Sequence, residues 1–179
     1  MLQKSSMEET VAFFFDSPTK GHSLMEISKA IGIAHTSVKQ NLTALAKLAF
    51  IAETIEKKGK RRFPIYAAER NAKEFQQHKM LFNIAALLES QVIDFLDDTF
   101  APKAIVLFGS YRRGEDIETS DIDIFLECKK EDCDLKQFEK KLKRKIELHF
   151  QEHFSHYSKE LKNNIMNGIV LCGFLEGYS

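Results

Sequence analysis

The sequence predicts an α+β fold built from two modules. In the first half, apolar residues recur at helical spacing behind two capping boxes, and two strand-like runs follow. In the second half, short apolar runs are interrupted by a glycine-serine turn and by two aspartates one residue apart. Residues 1–75 carry 12 Lys and Arg against 8 Asp and Glu, whereas residues 76–179 carry 14 against 18. The net charge of zero therefore combines a basic half with an acidic half.

Three short helices are predicted in the first 50 residues. The first two begin at the capping boxes 6–9 (SMEE) and 23–26 (SLME), and Gly32 ends the second. The third begins near His35. Its buried stripe is expected to be Val38, Leu42, Leu45 and Leu48. Its outward face is then polar and consists of Thr36, Ser37, Lys39, Gln40 and Thr43.

A β-hairpin with a cationic tip is predicted next. Residues 51–56 and 62–67 have the composition of strands, and a lysine-rich segment joins them. Pro64 requires the second strand to be an edge strand, because proline has no N–H for a ladder hydrogen bond. The basic side chains suited to phosphate contacts are Lys57, Lys58, Lys60, Arg61 and Arg62.

In this pattern, residues 1–70 resemble a winged helix-turn-helix domain of bacterial and archaeal regulators. The resemblance implies binding to double-stranded DNA, with groove contacts from the outward face of the third helix, at Thr36, Ser37, Lys39 and Gln40. The hairpin lysines and arginines would then follow the phosphate backbone. A helical protein-interaction module with a solvated lysine loop is the alternative.

Residues 71–100 contain neither glycine nor proline, which predicts a long helix broken at most once. The expected apolar stripe recurs every three or four residues, at Leu81, Ile84, Leu88, Val92 and Leu96. We expect residues 71–83 to link the two modules. Pairing of this helix with its own copy, in a homodimer, is left open by the sequence.

A phosphate-binding turn is predicted where the apolar run after Pro102 stops at Gly109 and Ser110. Glycine lets the backbone approach a ligand closely, and successive backbone N–H groups can bind an anion. Twelve residues after Gly109, Asp121 begins an Asp-Ile-Asp sequence that ends at Asp123. On a strand these two carboxylates share one face, where a hard cation such as Mg²⁺ would relieve their repulsion.

Gly109-Ser110, ten intervening residues and then Asp-x-Asp closely resemble the signature of the DNA polymerase β-like nucleotidyltransferases, and their minimal branch in particular. The resemblance covers about residues 84–175 and implies a small mixed-sheet domain over 84–179. It implies that Gly109 and Ser110 hold the phosphates of a nucleoside triphosphate, and that Asp121 and Asp123 coordinate Mg²⁺ or Mn²⁺. Glu147 stands where the family has a third carboxylate, usually Asp.

Two side chains have alternative interpretations. Arg112 could bind the triphosphate or pair with Glu115 or Asp116. His149, His153 and His156 have spacing that could suit zinc, but if His149 lies on the Glu147 strand, packing or surface roles are favoured.

The composition places further limits on the class of protein. Three cysteines, an odd number, favour free thiols and a reducing cytoplasm over a disulfide framework. No apolar run reaches the length of a membrane span, and the first residues lack the apolar core of a signal peptide. We therefore expect a cytoplasmic protein that does not contact membranes.

The function expected from these patterns is a Mg²⁺-dependent nucleotidyltransferase coupled to a DNA-binding module. It would move a nucleoside monophosphate from a nucleoside triphosphate to a hydroxyl, on a partner protein or a small molecule, and release pyrophosphate. The alternative is a transcriptional regulator or antitoxin whose second half binds nucleotide or a partner without catalysis. A toxin–antitoxin setting would accommodate both. An interaction scaffold without activity is a third interpretation.

Overall fold

The structure, a computed structural model, describes residues 5–58, 61–152 and 157–176. The chain divides into two compact units, Met1–Lys79 and Met80–Ser179. The described residues form eight helices and two sheets, which confirms the α+β class. None of the helices in the described segments is both long enough and apolar enough to cross a bilayer.

The helices of the first unit are α1 (Ser6–Asp16), α2 (Leu24–Ile31) and α3 (His35–Lys47). The first capping box begins one residue earlier than predicted: the Ser5 hydroxyl accepts the Glu8 N–H, and the Glu8 carboxylate accepts the Ser5 N–H at 2.6 Å. The box at Ser23 is confirmed, and α2 ends at Gly32 in the left-handed conformation, as predicted.

The buried stripe of α3 differs from the prediction at its last position. Val38, Leu42 and Leu45 are buried, but Leu48 is 62% exposed because α3 ends at Lys47. A polar contact that the pattern did not indicate joins α3 to α1. The side-chain amide of Asn41 donates to the Thr10 hydroxyl at 3.0 Å in the core of this unit.

The sheet of the first unit consists of β1 (His22–Ser23), β2 (Ile51–Lys58) and β3 (Arg61–Ala68) in the order β1-β3-β2, all antiparallel. The two long strands exceed the predicted ranges. Pro64 lies on the central strand, contrary to the expected edge strand. It is tolerated there because β1 pairs only with Ile65 and Tyr66, so that Pro64 has a neighbour on β2 alone.

The glycine-free segment forms α4 (Lys73–Ser90) and α5 (Val92–Phe100), separated at Gln91, which has a φ of 67°. The predicted single break is confirmed, and Ile84 packs against the core as predicted, but two other positions of the predicted stripe on α4 are wrong. Leu81 and Leu88 are 60% and 53% exposed, whereas Leu87 is fully buried. The break shifts the helical phase, so that no single periodicity covers both helices.

The sheet of the second unit contains four strands in the order β6-β5-β4-β7. Strands β5 and β6 are parallel and the other pairs are antiparallel, so the sheet is mixed. Its strands are β4 (Ala104–Phe108), β5 (Ile122–Leu126), β6 (Ile146–Phe150) and β7 (Ile169–Gly173). The remaining helices are α6 (Gly109–Arg113), α7 (Lys136–Leu142) and α8 (Lys159–Met166).

Both faces of this sheet are covered at its centre, where every residue of β4 is buried. Ile105 and Leu107 pack into the larger cluster, with the apolar residues of α5, while Val106 packs on the other face with Ile165 of α8. On β5, Ile122 and Ile124 point into the larger cluster, as predicted. The side chain between them, Asp123, therefore lies on the opposite face, the face of Phe125.

Candidate active site

The site begins at the turn between β4 and α6. Gly109 has a φ of 74°, a conformation that glycine adopts far more readily than other residues. A Cβ atom at this position would also collide with the carboxylate of Asp123. Both the backbone conformation and the close approach therefore require glycine here.

The strand register places three neighbouring positions in a row across the sheet. Phe108, the residue before the turn, lies opposite Asp123, and Asp123 lies opposite Glu147 on β6. The Asp123 carboxylate thus lies between the glycine turn on one side and Glu147 on the other. It is partly buried, whereas Glu147 is exposed on its edge strand.

His149 joins this row from the same face of β6, two residues after Glu147. Its Nε2 atom lies 3.3 Å from Oδ1 of Asp123, and the two side chains are 23% and 25% exposed. The imidazole also packs edge-on against the Phe108 ring, with 5.0 Å between the ring centroids. These two contacts fix the ring beside the carboxylate.

One oxygen or nitrogen atom from each of Asp123, Glu147 and His149 lies within 4.8 Å of the other two. Ligands of one Mg²⁺ or Mn²⁺ lie about 2.1 Å from the ion, and hence at most about 4.2 Å from each other. Small side-chain rotations would bring all three atoms to a shared cation. Two carboxylates suit Mg²⁺ or Mn²⁺, and the imidazole adds a nitrogen ligand that softer ions prefer. The residues therefore fit a divalent cation.

Asp121 lies outside this three-residue cluster. It immediately precedes β5, whose first residue, Ile122, donates its N–H to the carbonyl of Lys145 at 2.8 Å. Its side chain is exposed and lines a neighbouring cleft. The sequence predicted that Asp121 and Asp123 share an ion; the structure groups Asp123 with Glu147 and His149.

Ser110 and Arg112, the other predicted phosphate contacts, are half-buried on α6. The Nε atom of Arg112 is buried and has no hydrogen-bond partner among the described residues. The predicted alternative partners are engaged elsewhere: Glu115 pairs with Arg113 at 2.6 Å, and Asp116 accepts from Asn83 at 2.8 Å. An unpaired buried donor costs about 1–3 kcal/mol, which an anionic ligand would relieve.

A buried polar group that the sequence analysis missed supports the loop before β5. Asp116, whose side chain is 1% exposed, lies 3.8 Å from the Arg144 guanidinium. Asn83 donates both to Asp116 and to the carbonyl of Tyr111, each at 2.8 Å. Nothing in the local sequence indicates these contacts, because the three residues come from separate segments. They hold α6 and the loop that leads to Asp121.

In the first unit, Thr36, Lys39 and Gln40 are exposed on α3, while Ser37 is half-buried. On the hairpin, Lys57 and Arg62 are exposed and lie directly opposite each other in the strand register. Lys60 lies outside the described residues, as do the side chains of Lys58 and Arg61.

The described residues contain one histidine of the possible zinc set and all three cysteines. His149 lies on β6 with Glu147, while His153 and His156 are outside the described residues. All three cysteines are free, as expected. Burial, followed by the nearby charge of Glu131, raises the pKa of the Cys128 thiol, and burial is likewise the main cause of the raised pKa of Cys172. Raised pKa values disfavour the thiolate, so these thiols are poor nucleophiles.

Comparison with known proteins bears on the second unit. Residues 89–172 match the family model of the nucleotidyltransferase domain. Searches among curated proteins and solved structures found no match to the chain. The matched range includes the glycine turn and all three members of the Asp123 cluster. At the level of the family, the second unit is similar to nucleotidyltransferase domains, and transfer of a nucleotidyl group is the activity that this match suggests.

Proposed function

We propose that this chain moves a nucleoside monophosphate from a nucleoside triphosphate to a hydroxyl acceptor, with the help of Mg²⁺ or Mn²⁺. The observation that carries the proposal is the row across the sheet, in which the Asp123 carboxylate lies between the Gly109 turn and Glu147. Phosphoryl chemistry requires a polyphosphate and carboxylate-held cations next to each other. In this row a turn suited to bind phosphates lies next to carboxylates suited to hold a cation.

Each side chain has a distinct part in this proposal. Gly109 and Ser110 bind the phosphates through the backbone, and the buried Nε of Arg112 donates to them. Asp123, Glu147 and His149 hold the cation, with Asp121 as a further carboxylate at its rim. A divalent cation at this position would neutralise charge that builds on the reacting phosphate. Glu147, on the far side of Asp123 from the turn, faces the side from which the acceptor hydroxyl arrives.

Asp123→Ala is the direct test of this function. The full chain is incubated with radiolabelled nucleoside triphosphates, Mg²⁺ or Mn²⁺ and cell lysate, and transferred label is counted. We expect wild type to transfer label and Asp123→Ala to lose a hundredfold or more, on the order seen when a transition-state contact is removed. Asp98→Ala, an exposed aspartate of the same unit, is the control and should match wild type.

Two outcomes would contradict the proposal. Equal label transfer by wild type and Asp123→Ala would assign the signal to something other than this site. Nucleotide binding without any transfer would favour the alternative function, a regulator that binds nucleotide or a partner protein without catalysis.

For the first unit we propose binding to double-stranded DNA. In support, α2 and α3 are joined by a short turn at Gly32, and a long hairpin with basic residues follows. Lys57 and Arg62 lie directly opposite each other, and like charges in that position destabilise a strand pair. A phosphate group between them would relieve the repulsion. The proposal requires binding that weakens steeply with salt; binding that salt does not affect would contradict it.

A further inference from the structure

A cleft of about 510 Å³ opens beside Asp121 in the second unit. Five basic residues line it, against three acidic ones. The basic residues are Lys136, Lys140, Lys143, Arg144 and Lys145. Its size is within the range of sites for small ligands, and its lining is largely ionic, where most such sites are mainly apolar.

Not all of these charges are available to a ligand. The Arg144 guanidinium is buried beside Asp116, and the acidic Glu139 accepts the N–H of Ile146 at 3.1 Å. Lys136, Lys140 and Lys145 are exposed, so their ammonium groups can turn toward a ligand in the cleft. Glu139 keeps its negative charge, so with Arg144 offset by Asp116 the lining has four lysines against three carboxylates, a small positive excess. A concave surface with an excess of one charge sign concentrates ligands of the opposite sign.

The position of the cleft relative to the sheet indicates which ligand it receives. Its lining comes from α7 and from the residues immediately before β5 and β6. The glycine turn follows β4, on the other side of β5 in the strand order β6-β5-β4-β7. Because Phe108, at the end of β4, pairs with Asp123 near the start of β5, the Gly109 turn and the cleft lie at the same edge of the sheet. This arrangement suits a donor triphosphate at the turn and an acceptor in the cleft.

We propose that this cleft binds the acceptor and that the acceptor carries a phosphate group near its reactive hydroxyl. The inference rests on the proposed nucleotidyl transfer. The acceptor oxygen forms a bond to the α-phosphorus, and the bond from that phosphorus to the bridging oxygen of the β-phosphate breaks. Pyrophosphate leaves with the bonding electrons, and the hydroxyl proton passes to solvent. The lysines hold the phosphate of the acceptor so that its hydroxyl lies beside Asp121, which lines the cleft.

Polycationic acceptors such as aminoglycosides fit this cleft poorly, because the exposed lysines repel them. A protein hydroxyl without phosphate gains nothing from the lysines. Two sources of the same phosphate chemistry remain: a small phosphorylated molecule, and the 3′ end of a polynucleotide. The experiment separates them.

The test compares the full-length wild type with Lys140→Glu/Lys145→Glu. Fluorescence anisotropy measures binding of a short single-stranded RNA with a free 3′ hydroxyl, and ribose 5-phosphate, with ribose as its neutral counterpart, is the competitor. We expect the double variant to bind the RNA about tenfold or more weakly, because two phosphate contacts become repulsive. Lys129→Glu/Lys159→Glu changes the same charge at exposed lysines outside the cleft lining and should bind as wild type does.

The competition identifies the source of the phosphate. If ribose 5-phosphate displaces the RNA and ribose does not, a small phosphorylated acceptor suffices. If the RNA binds in a cleft-dependent way and ribose 5-phosphate has no effect, the acceptor is a polynucleotide. Both results support the cleft as a phosphate site.

The proposal is overturned if the cleft variant binds the RNA as tightly as wild type, if the control variant weakens equally, or if neither probe binds. It is also overturned if an acidic peptide without phosphate displaces the RNA. Calorimetric titration of a nucleoside triphosphate with Mg²⁺ is run on the same variants and should be unchanged. If wild type does not bind the nucleoside triphosphate, the proposed nucleotidyl transfer itself is refuted. Failure of the proposed function can therefore be distinguished from failure of the proposed acceptor site. Lys140→Gln/Lys145→Gln replaces the charge-reversal variant if that one does not fold.

Discussion

Gly109 carries two separate constraints, and the chain contains a second glycine that carries only one of them. Gly109 and Gly32 have φ angles of 74° and 70°. A Cβ atom at Gly109 would strike the Asp123 carboxylate, whereas at Gly32 nothing lies within 4 Å. Comparing substitutions at these two glycines therefore separates the effect of backbone strain from the effect of displacing the Asp123 carboxylate.

We expect Gly32→Ala to lower the free energy of unfolding by about 1–2 kcal/mol, because it forces a left-handed conformation on alanine. Gly109→Ala should lower it by at least as much, because its Cβ must also displace the Asp123 carboxylate. Only Gly109→Ala should abolish nucleotidyl transfer, since it pushes the Asp123 carboxylate out of the row. Urea denaturation measures the first effect and label transfer the second. Full activity in Gly109→Ala would show that the close approach of Gly109 to Asp123 is dispensable.

His149 makes a prediction about which metal the site prefers. Imidazole nitrogen is a better ligand for Mn²⁺ than for Mg²⁺, which strongly prefers oxygen. His149→Asn should therefore weaken Mn²⁺ binding by about tenfold or more, because loss of even a group that only supports the ligands costs a metal site at least that much, and should change Mg²⁺ binding less. Electron paramagnetic resonance of free Mn²⁺ measures the affinity directly, with Mg²⁺ as competitor. The control is His35→Asn, an exposed histidine of the first unit. Equal losses for both metals would exclude a selective role.

At the scale of elements, the loop between α6 and β5 depends on a buried ion pair. Arg144 and Asp116 have side-chain exposures of 7% and 1%, while the nearby pair of Arg113 and Glu115 is 46% and 43% exposed. Losing one partner of a buried pair leaves a charge without compensation, whereas an exposed pair contributes little. The two arginines thus form a natural comparison.

Arg144→Leu should lower the free energy of unfolding by about 3 kcal/mol, at the lower end for a broken buried pair because Asn83 still donates to Asp116. Arg113→Leu should cost less than about 0.5 kcal/mol. In Asp116→Asn/Arg144→Leu the buried charge is gone, so part of the stability should return. Chemical denaturation of wild type, Asp116→Asn, Arg144→Leu and the double variant gives the coupling between the two side chains. Strictly additive losses would mean that the two side chains do not interact.

The elements differ in how far the sequence alone could predict them. β4 and β5 are short apolar runs bounded by turn residues, so their ranges and the buried Ile122 and Ile124 were predictable. The stripe on α4 was not, because the break at Gln91 resets the helical phase. The contact of His149 with Asp123 depends on the parallel register of β5 and β6, which pairs residues more than twenty positions apart. Local patterns cannot supply that register. The same applies to Asp116 and Arg144.

At the scale of the whole molecule, the change from an excess of basic residues to an excess of acidic residues falls close to the boundary between the two compact units. The excess of basic residues lies in residues 1–75, and the excess of acidic residues in the remainder. Each compact unit has its own sheet. The residues proposed for DNA binding all belong to the first unit, and those proposed for nucleotidyl transfer to the second. Loss of either set should therefore leave the other function intact.

We expect each of two variants to lose one activity and keep the other. Lys57→Glu/Arg62→Glu should weaken DNA binding and reduce the slope of log affinity against log salt by about two, because each phosphate contact contributes about 0.9. Label transfer should stay at the wild-type rate in this variant. Asp123→Ala should show the reverse, with DNA affinity and salt slope unchanged and transfer lost. Anisotropy of a labelled duplex at several salt concentrations, with label transfer measured on the same preparations, decides the question. If either variant loses both activities while its urea midpoint is unchanged, the two functions are coupled and their assignment to separate units is wrong.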